Sequence, residues 1–478
     1  MWRISPTDKE SGGRRLHDRN EAGETGDFEV LRLAASLWKN ARPEQRRVAA
    51  NALWLATDRS ARAVIGLLLG SLIVRQLGPE RLGALSYAMS FAALFCPLAD
   101  LSLMPIVVRE LLRKPAEAPA ILGTAALMRA AGGIIAVIAA GAASLLFNRG
   151  MELTHRLVIT VSCVGVFQAL DVIDFWYQSR VESRVVVIAR GAAHAVVIAG
   201  TLLCVRFGAG PEGYARLFLA GYVLNAVALL VAYMGRNGKI VHWRFSPEWL
   251  KLMAVSCAPL VVSAILKMIY SRMDRVLLGR YSGEAELGIY SVAAGIYEGL
   301  FFVPSVVSSS VFPAVVAARE RGREFFEYRL RQYFSLMAAL GYCMAVAVMI
   351  FAAPGIRIFL GPAYARSAFL LAILAWGLLF LCVSFARTAC LMAENRHLAA
   401  MAAMAAGTVV NIMLNLLLIP RYGATGVAVA ALAGGAVTGY LSCFLDPQQF
   451  RLGRMITAAL LWPVPRLDQD ESSMEGKG

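Results

Sequence analysis

Residues Lys267 to Tyr290 read KMIYSRMDRVLLGRYSGEAELGIY, an apolar helical run that carries Lys267, Asp274 and Arg275, turns sharply and re-enters an apolar run. A weaker copy lies upstream. On a shift of about 205 positions, Arg75, Gly78, Leu82, Gly83, Ser86 and Ala88 fall on Arg280, Gly283, Leu287, Gly288, Ser291 and Ala293. Arg62 falls on Lys267 in the same register, and at a slightly larger offset Arg206-Phe207-Gly208 meets Arg421-Tyr422-Gly423. The pattern predicts two similar halves of roughly 200 residues. Chance matching in an Ala-, Leu- and Gly-rich chain is the competing explanation.

The background around this stretch sets the class. The chain is 58% hydrophobic and 17% charged, with a mean hydropathy of +0.60, whereas soluble domains are about 45–50% apolar and about 25% charged. It therefore reads as an all-α polytopic membrane protein. A spanning helix needs about 20 mostly apolar residues, and about 12 stretches qualify or nearly so. They lie near 52–77, 84–108, 119–147, 155–178, 184–206, 213–235, 249–279, 288–312, 328–353, 364–390, 397–420 and 424–445. The domains expected are an arm over 1–48, an N-terminal lobe over 49–240, a C-terminal lobe over 241–446 and an end segment over 447–478, of which Met455 to Trp462 is too short to span.

The arm is polar, carries charges of both signs and is expected to be disordered, apart from a possible surface helix over Phe28 to Lys39. Lys39, Arg42, Arg46 and Arg47 precede the first span and put the amino terminus in the cytoplasm. An even number of spans returns the carboxyl terminus there. The loops then cytoplasmic hold Arg109, Arg113, Lys114, Arg180, Arg184, Arg236 and the cluster from Arg319 to Arg331, while Arg75, Arg149, Arg280 and Arg357 lie on the other side. The net charge of +15 is spread over loops and helix interiors and makes no nucleic-acid stripe. Membrane lipids or an anionic substrate are the partners that fit.

Several function classes have no support. The eight cysteines sit inside apolar runs without CxxC or His/Cys spacing, so neither disulfides nor a metal site is expected. Walker A, HExxH and GxSxG motifs do not occur. The GxGxxG at Gly208, Gly210 and Gly213 joins two apolar helices and follows no strand, which removes the dinucleotide reading. Neither enzyme activity nor a cofactor is expected.

Charges inside spans carry the functional signal, because each costs about 2.5–3.5 kcal/mol at mid-membrane and so faces a bundle interior or a wet cavity. They are Asp58, Arg59, Arg62, Asp100, Arg129, Asp171, Asp174, Arg190, His194, Lys267, Arg272, Asp274, Arg275, Glu298 and Arg387. Asp58, Arg59, Arg190, Arg272 and Arg387 lie nearer helix ends, from which long side chains can snorkel to headgroups. Lys267 and Asp274 share a helix face at a spacing of seven, as do Asp171 and Asp174 at i and i+3. An ion pair that only locks two helices is the plainer role for any one of these. Arg62 and Lys267, at matching positions of the two repeats, are expected to face each other where repeat-built transporters place substrate. Pro97 and Pro105 bracket Asp100, and Pro259 and Pro304 are expected to break or bend their helices.

Asp274 to Gly279 followed by Leu287 to Ala293 resembles the mid-chain signature of the polysaccharide transporter branch of the MOP exporter superfamily, the O-antigen and exopolysaccharide repeat-unit flippases. Leu77 to Gly83 (LGPERLG), Leu98 to Leu111 (LADLSLMPIVVREL) and Asn415 to Gly426 (NLLLIPRYGATG) are similar to its other recurring stretches. Ser102 stands where that family more usually has glycine, and the charged arm has no counterpart. The resemblance implies two pseudo-symmetric six-helix lobes around a central cavity that alternates between the membrane faces. It implies an undecaprenyl-pyrophosphate-linked oligosaccharide moved from the cytoplasmic to the periplasmic leaflet of a bacterial inner membrane, alongside polysaccharide polymerase and export machinery. On this reading Arg62, Lys267 and Arg129, with Arg190 and Arg387, serve the pyrophosphate; Asp274, Asp100, Asp171, Asp174 and Glu298 serve ion coupling or gating. A multidrug exporter of the same superfamily and a membrane-embedded glycan polymerase are the alternatives. The first would favour acidic cavities, and the second needs a long loop that this chain lacks.

Overall fold

In hydrocarbon every backbone N–H and C=O must be paired within the protein, which leaves helices or closed barrels; this chain takes the helical solution. The computed structural model describes residues 43–148, 150–237, 242–320, 322–394 and 396–463, without the side chains of 43–64, 237, 320 and 397. The expected surface helix over Phe28 to Lys39, the boundary at 240 and the polar tail lie outside the described residues. The N-terminal half comprises α1 (Pro43–Ala93), α2 (Cys96–Asp100), α3 (Met104–Arg113), α4 (Ala118–Phe147), α5 (Glu152–Ser162), α6 (Val164–Phe167), α7 (Val172–Ser179), α8 (Ser183–Arg206) and α9 (Pro211–Asn237). The C-terminal half comprises α10 (Pro247–Ser282), α11 (Glu284–Gly299), α12 (Phe302–Glu320), α13 (Arg323–Phe359), α14 (Ala365–Ala393), α15 (His397–Tyr422), α16 (Ala424–Gly439) and α17 (Phe450–Leu461).

The predicted spans fall largely on helix, with turns at 94–95, 101–103, 300–301 and 440 inside them, and no strand occurs among the described residues. Nine helices there are long and apolar enough to cross a membrane, and Ile65–Ala93 with Cys96–Arg113, bent by 47°, makes a tenth; Ala424–Gly439 is a shorter apolar helix. The first helix begins at Pro43 rather than after residue 48. Pro259 does not break α10, which runs on through it while Ser263 Oγ donates to the Pro259 carbonyl at 3.0 Å. The break near Pro304 comes earlier, at Leu300 and Phe301, and leaves Pro304 in the first turn of α12, where no intrahelical donor is lost.

The duplication is present in the backbone. Gly78 interrupts α1 at φ 73, ψ 171, and Gly283, its repeat partner, separates α10 from α11 at φ 86, ψ 174, a conformation open to glycine. The residues that follow pack reciprocally. A Cβ on Gly83 would overlap the backbone carbonyl of Glu284, and one on Gly288 would overlap that of Pro79. The pseudo-two-fold axis passes between these contacts. Around them the largest apolar cluster joins both lobes through Leu82, Tyr87 and Ala88 on one side and Leu287, Tyr290 and Ala293 on the other. Arg75 Nη2 donates to the Ile358 carbonyl at 3.0 Å, Tyr364 Oη to the Val74 carbonyl at 2.9 Å, and Thr154 Oγ1 to Glu284 Oε1 at 3.4 Å. This face of the molecule is closed.

At the other ends of the helices the lobes meet differently. Trp249, Met253 and Cys257, in the first turns of α10, belong to a cluster with Leu103, Ile121 and Phe175 of the N-terminal half, and Trp249 Nε1 donates to Glu117 at 2.9 Å. The second half of α10 then lies against α15 and α1. One long helix thus serves both lobes.

Between α2 and α3, Leu101 and Ser102 both hold left-handed backbone, at φ 52 and φ 48. For a residue with a side chain this costs about 1–2 kcal/mol. Ser102→Gly is expected to stabilise the protein by about 1 kcal/mol, read as a higher unfolding midpoint in detergent. An unchanged or lower midpoint would show that the turn is not strained.

Candidate functional site

The turn at Leu101 ends α2 at Asp100 and aims its carboxylate at α4. Gly132 and Gly133 allow the backbones of Leu98 and Gly165 to touch α4, which brings α2 and α6 around Arg129. Arg129 is 2% exposed. It donates to Asp100 Oδ1 at 2.9 Å and to the Gln168 carbonyl at 3.0 Å, and Asp171 lies at 3.7 Å. Arg190, from α8, reaches Asp174 at 3.1 Å and Asp171 at 3.5 Å. Three carboxylates therefore face two guanidiniums in the N-terminal lobe. The Asp100 side chain keeps 55% of its surface exposed, while Asp171 and Asp174 keep 23% and 12%.

The C-terminal lobe has the opposite balance. Arg275 Nη2 donates to Glu298 Oε1 at 2.7 Å, and Arg272 reaches the other Glu298 oxygen at 3.5 Å. Asp274 accepts from Tyr290 Oη at 2.6 Å and from the Arg275 backbone N–H at 2.7 Å, and has no basic partner among the described residues. Lys267 is exposed and likewise lacks an ion-pair partner among them. It precedes Gly283 by 16 residues, so it lies about 24 Å below the closed face at 1.5 Å per residue. In this group Lys267, Arg272 and Arg275 of α10 stand with Asp274 of α10 and Glu298 of α11, three positive charges to two negative. The Arg62 side chain lies outside the described residues; its backbone is helical and stands as far from Gly78 as Lys267 does from Gly283.

A cavity of about 200 Å³ lies between the lobes, lined by Cys96, Ala99, Gln168, Phe218 and Tyr222 of the N-terminal lobe and by Arg272 of α10, the one charged residue in its wall. Arg272, Arg190 and Arg387 lie near enough to helix ends to snorkel; all three turn into the protein instead. Arg387 is 2% exposed and stands apart from the others. Its guanidinium donates to Gln449 Oε1, to Ser442 Oγ at 2.6 Å and to the Thr438 carbonyl at 2.6 Å, tying the 441–449 segment to α14. Sequence reasoning counted Arg272 among the charges inside spans but gave it no role, and it missed Gln168, Tyr222 and Tyr290. Only Arg272 carried a signal, its i, i+3 spacing to Arg275; the others are neutral side chains in apolar runs.

The arrangement can hold an anion against α10 and a cation against Asp100. Among the described residues no three His, Cys, Asp or Glu side chains gather as metal ligands.

The sequence profile of a family described as polysaccharide biosynthesis protein matches residues 48–319, and that of the MatE family matches 259–417. No curated protein matches the chain in sequence. Among solved structures, the lipid II flippase MurJ in an inward closed conformation superposes with a TM-score of 0.62 at 15% identity, over 86% of this chain and 91% of that one. The inward-facing conformation of a multidrug resistance MATE family transporter of the MOP superfamily gives 0.61 at 16% identity, over 87% and 96%. A MOP superfamily transporter from Pyrococcus furiosus, described by a reverse polarity of its binding pocket, gives 0.57 at 16% identity, over 89% and 98%. At these identities the likeness is one of fold.

Proposed function

The chain belongs to the polysaccharide biosynthesis protein family and has the fold of the MOP superfamily membrane transporters, and from that premise we propose that it flips an undecaprenyl-pyrophosphate-linked oligosaccharide across a bacterial inner membrane. Both termini are then cytoplasmic and the closed face is periplasmic. The observation that carries this reading is the spare positive charge of Lys267, exposed on α10 and without an ion-pair partner among the described residues, with Arg272 one turn or so further along the helix; Arg62, its repeat-related counterpart, would supply a second cation. A pyrophosphate is a multiply charged anion, and arginine grips its oxygens bidentately. Arg129 and Arg190 spend their donors inside the N-terminal lobe and shape its wall: a phosphate reaching Arg129 would have to displace Asp100 or Asp171. Arg387 spends its own inside the C-terminal lobe, away from the cavity.

The N-terminal carboxylates supply the coupling. With one excess negative charge and an exposed oxygen, Asp100 takes up a proton or a sodium ion, and Asp171, Asp174, Asp274 and Glu298 tune the two walls. Asp100→Asn is expected to leave flipping insensitive to imposed proton and sodium gradients; an undiminished response would reject this role.

The same acidic wall favours a second reading, an exporter of cationic drugs. Purified protein in liposomes separates the two. Flipping of a fluorescent pyrophosphate-linked oligosaccharide lipid without efflux of lipophilic cations is the expected result, and the reverse pattern would overturn it.

A further inference from the structure

On the outside of the N-terminal lobe a groove of about 960 Å³ runs between α8 and the last turns of α9. Its walls are apolar, formed by Ile188 and Ala192 of α8 and by Ala228 and Val231 of α9. Ile188 and Val231 are 56% and 64% exposed. At 100° per residue, positions 188 and 192 lie nearly opposite Arg190 on α8, and Arg190 is directed inward to Asp171 and Asp174. The groove therefore faces the bilayer and not the cavity.

One end of this groove is basic. Arg180, Arg184 and Arg236 meet there with a single carboxylate, Glu182, at the helix ends away from the closed face. The Arg180 guanidinium stands 3.9 Å over the Trp176 ring, which fixes its position. Next to it Val181 is held at φ 58, an outlier for a β-branched residue. Strained backbone of this kind collects at binding sites.

We infer that this groove binds one anionic phospholipid of the adjoining leaflet, its phosphate among Arg180, Arg184 and Arg236 and one acyl chain along Ile188, Ala192, Ala228 and Val231. Scattered arginines at helix ends meet bulk headgroups singly; here three converge above an apolar slot, the form taken by basic headgroup pockets between membrane helices. A zwitterionic headgroup would bring a fourth cation into the cluster. The site is independent of the transported substrate.

The test is native mass spectrometry of the full-length protein titrated with phosphatidylglycerol, phosphatidylcholine or inorganic phosphate. The parent should retain phosphatidylglycerol in preference to phosphatidylcholine. The double variant Arg180→Gln/Arg236→Gln should lose that preference at least about fivefold, roughly 1 kcal/mol. Ala228→Leu, which fills the slot and keeps the arginines, should weaken retention as well, and both variants should flip lipid at the parent rate. Equal retention by parent and variants would overturn the proposal. Displacement by millimolar phosphate alone, or preferential capture of a pyrophosphate-linked polyprenyl lipid, would overturn the assigned occupant.

Discussion

Gly288→Ala is expected to open the closed face and to stop transport. The added methyl would collide with the Pro79 carbonyl, which sits at the start of a helix and cannot yield without moving a lobe. Overpacking of this kind costs about 1–3 kcal/mol, enough to move a two-state equilibrium about five- to 150-fold. Gly83→Ala, which meets Glu284 in the mirror-related contact, should have the same effect. A cysteine placed at Ala88, fully buried in this face, reports the change: it should resist alkylation in the parent and react in either glycine variant. Full protection together with normal flipping would show that the glycines serve no closure.

Lys267→Glu should abolish flipping while leaving the amount of protein in the membrane unchanged. Lys267 is exposed and holds no ion pair among the described residues, so its reversal breaks nothing in the fold. What it removes is a charged contact to substrate worth about 1.5–3 kcal/mol, or about 10- to 150-fold in affinity, before repulsion is added. Lys267→Arg should retain activity, and Arg62→Glu, at the repeat-related position, should repeat the loss. Normal polysaccharide output from both reversals would remove these residues from the substrate path. Arg275 offers no such test, because it is buried and its loss would remove the shorter of the two ion pairs that Glu298 makes.

The symmetric features were legible because they depend on local backbone. Gly78, Gly83, Gly283 and Gly288 matched in a sequence shift for the reason that now appears: the same turn and the same close approach are needed twice. The shared face of Asp171 and Asp174 was also readable, since both reach one arginine. Arginine direction was not. Arg190, Arg272 and Arg387 were placed by distance from a helix end, a measure that assumes straight spans and lipid on every side. The bend at Gln168–Asp171 brings Asp171 and Asp174 alongside Arg190, and Glu298 of α11 stands beside Arg272. The partners of Arg387 are neutral and come from 51 to 62 positions later in the chain, so no charge pattern announced them. Ser102 was visible as a departure from its family, and the left-handed turn supplies the physical reason that glycine is favoured there.

A reversible bridge across the closed face would test alternating access most directly. Thr154 and Glu284 belong to opposite lobes and stand 3.4 Å apart at their side-chain oxygens. With the native cysteines replaced, Thr154→Cys/Glu284→Cys can be joined by a short bis-methanethiosulfonate. Flipping of the pyrophosphate-linked lipid should fall to the level of empty liposomes and return on reduction. Flipping that continues at the unbridged rate after complete cross-linking would contradict the account.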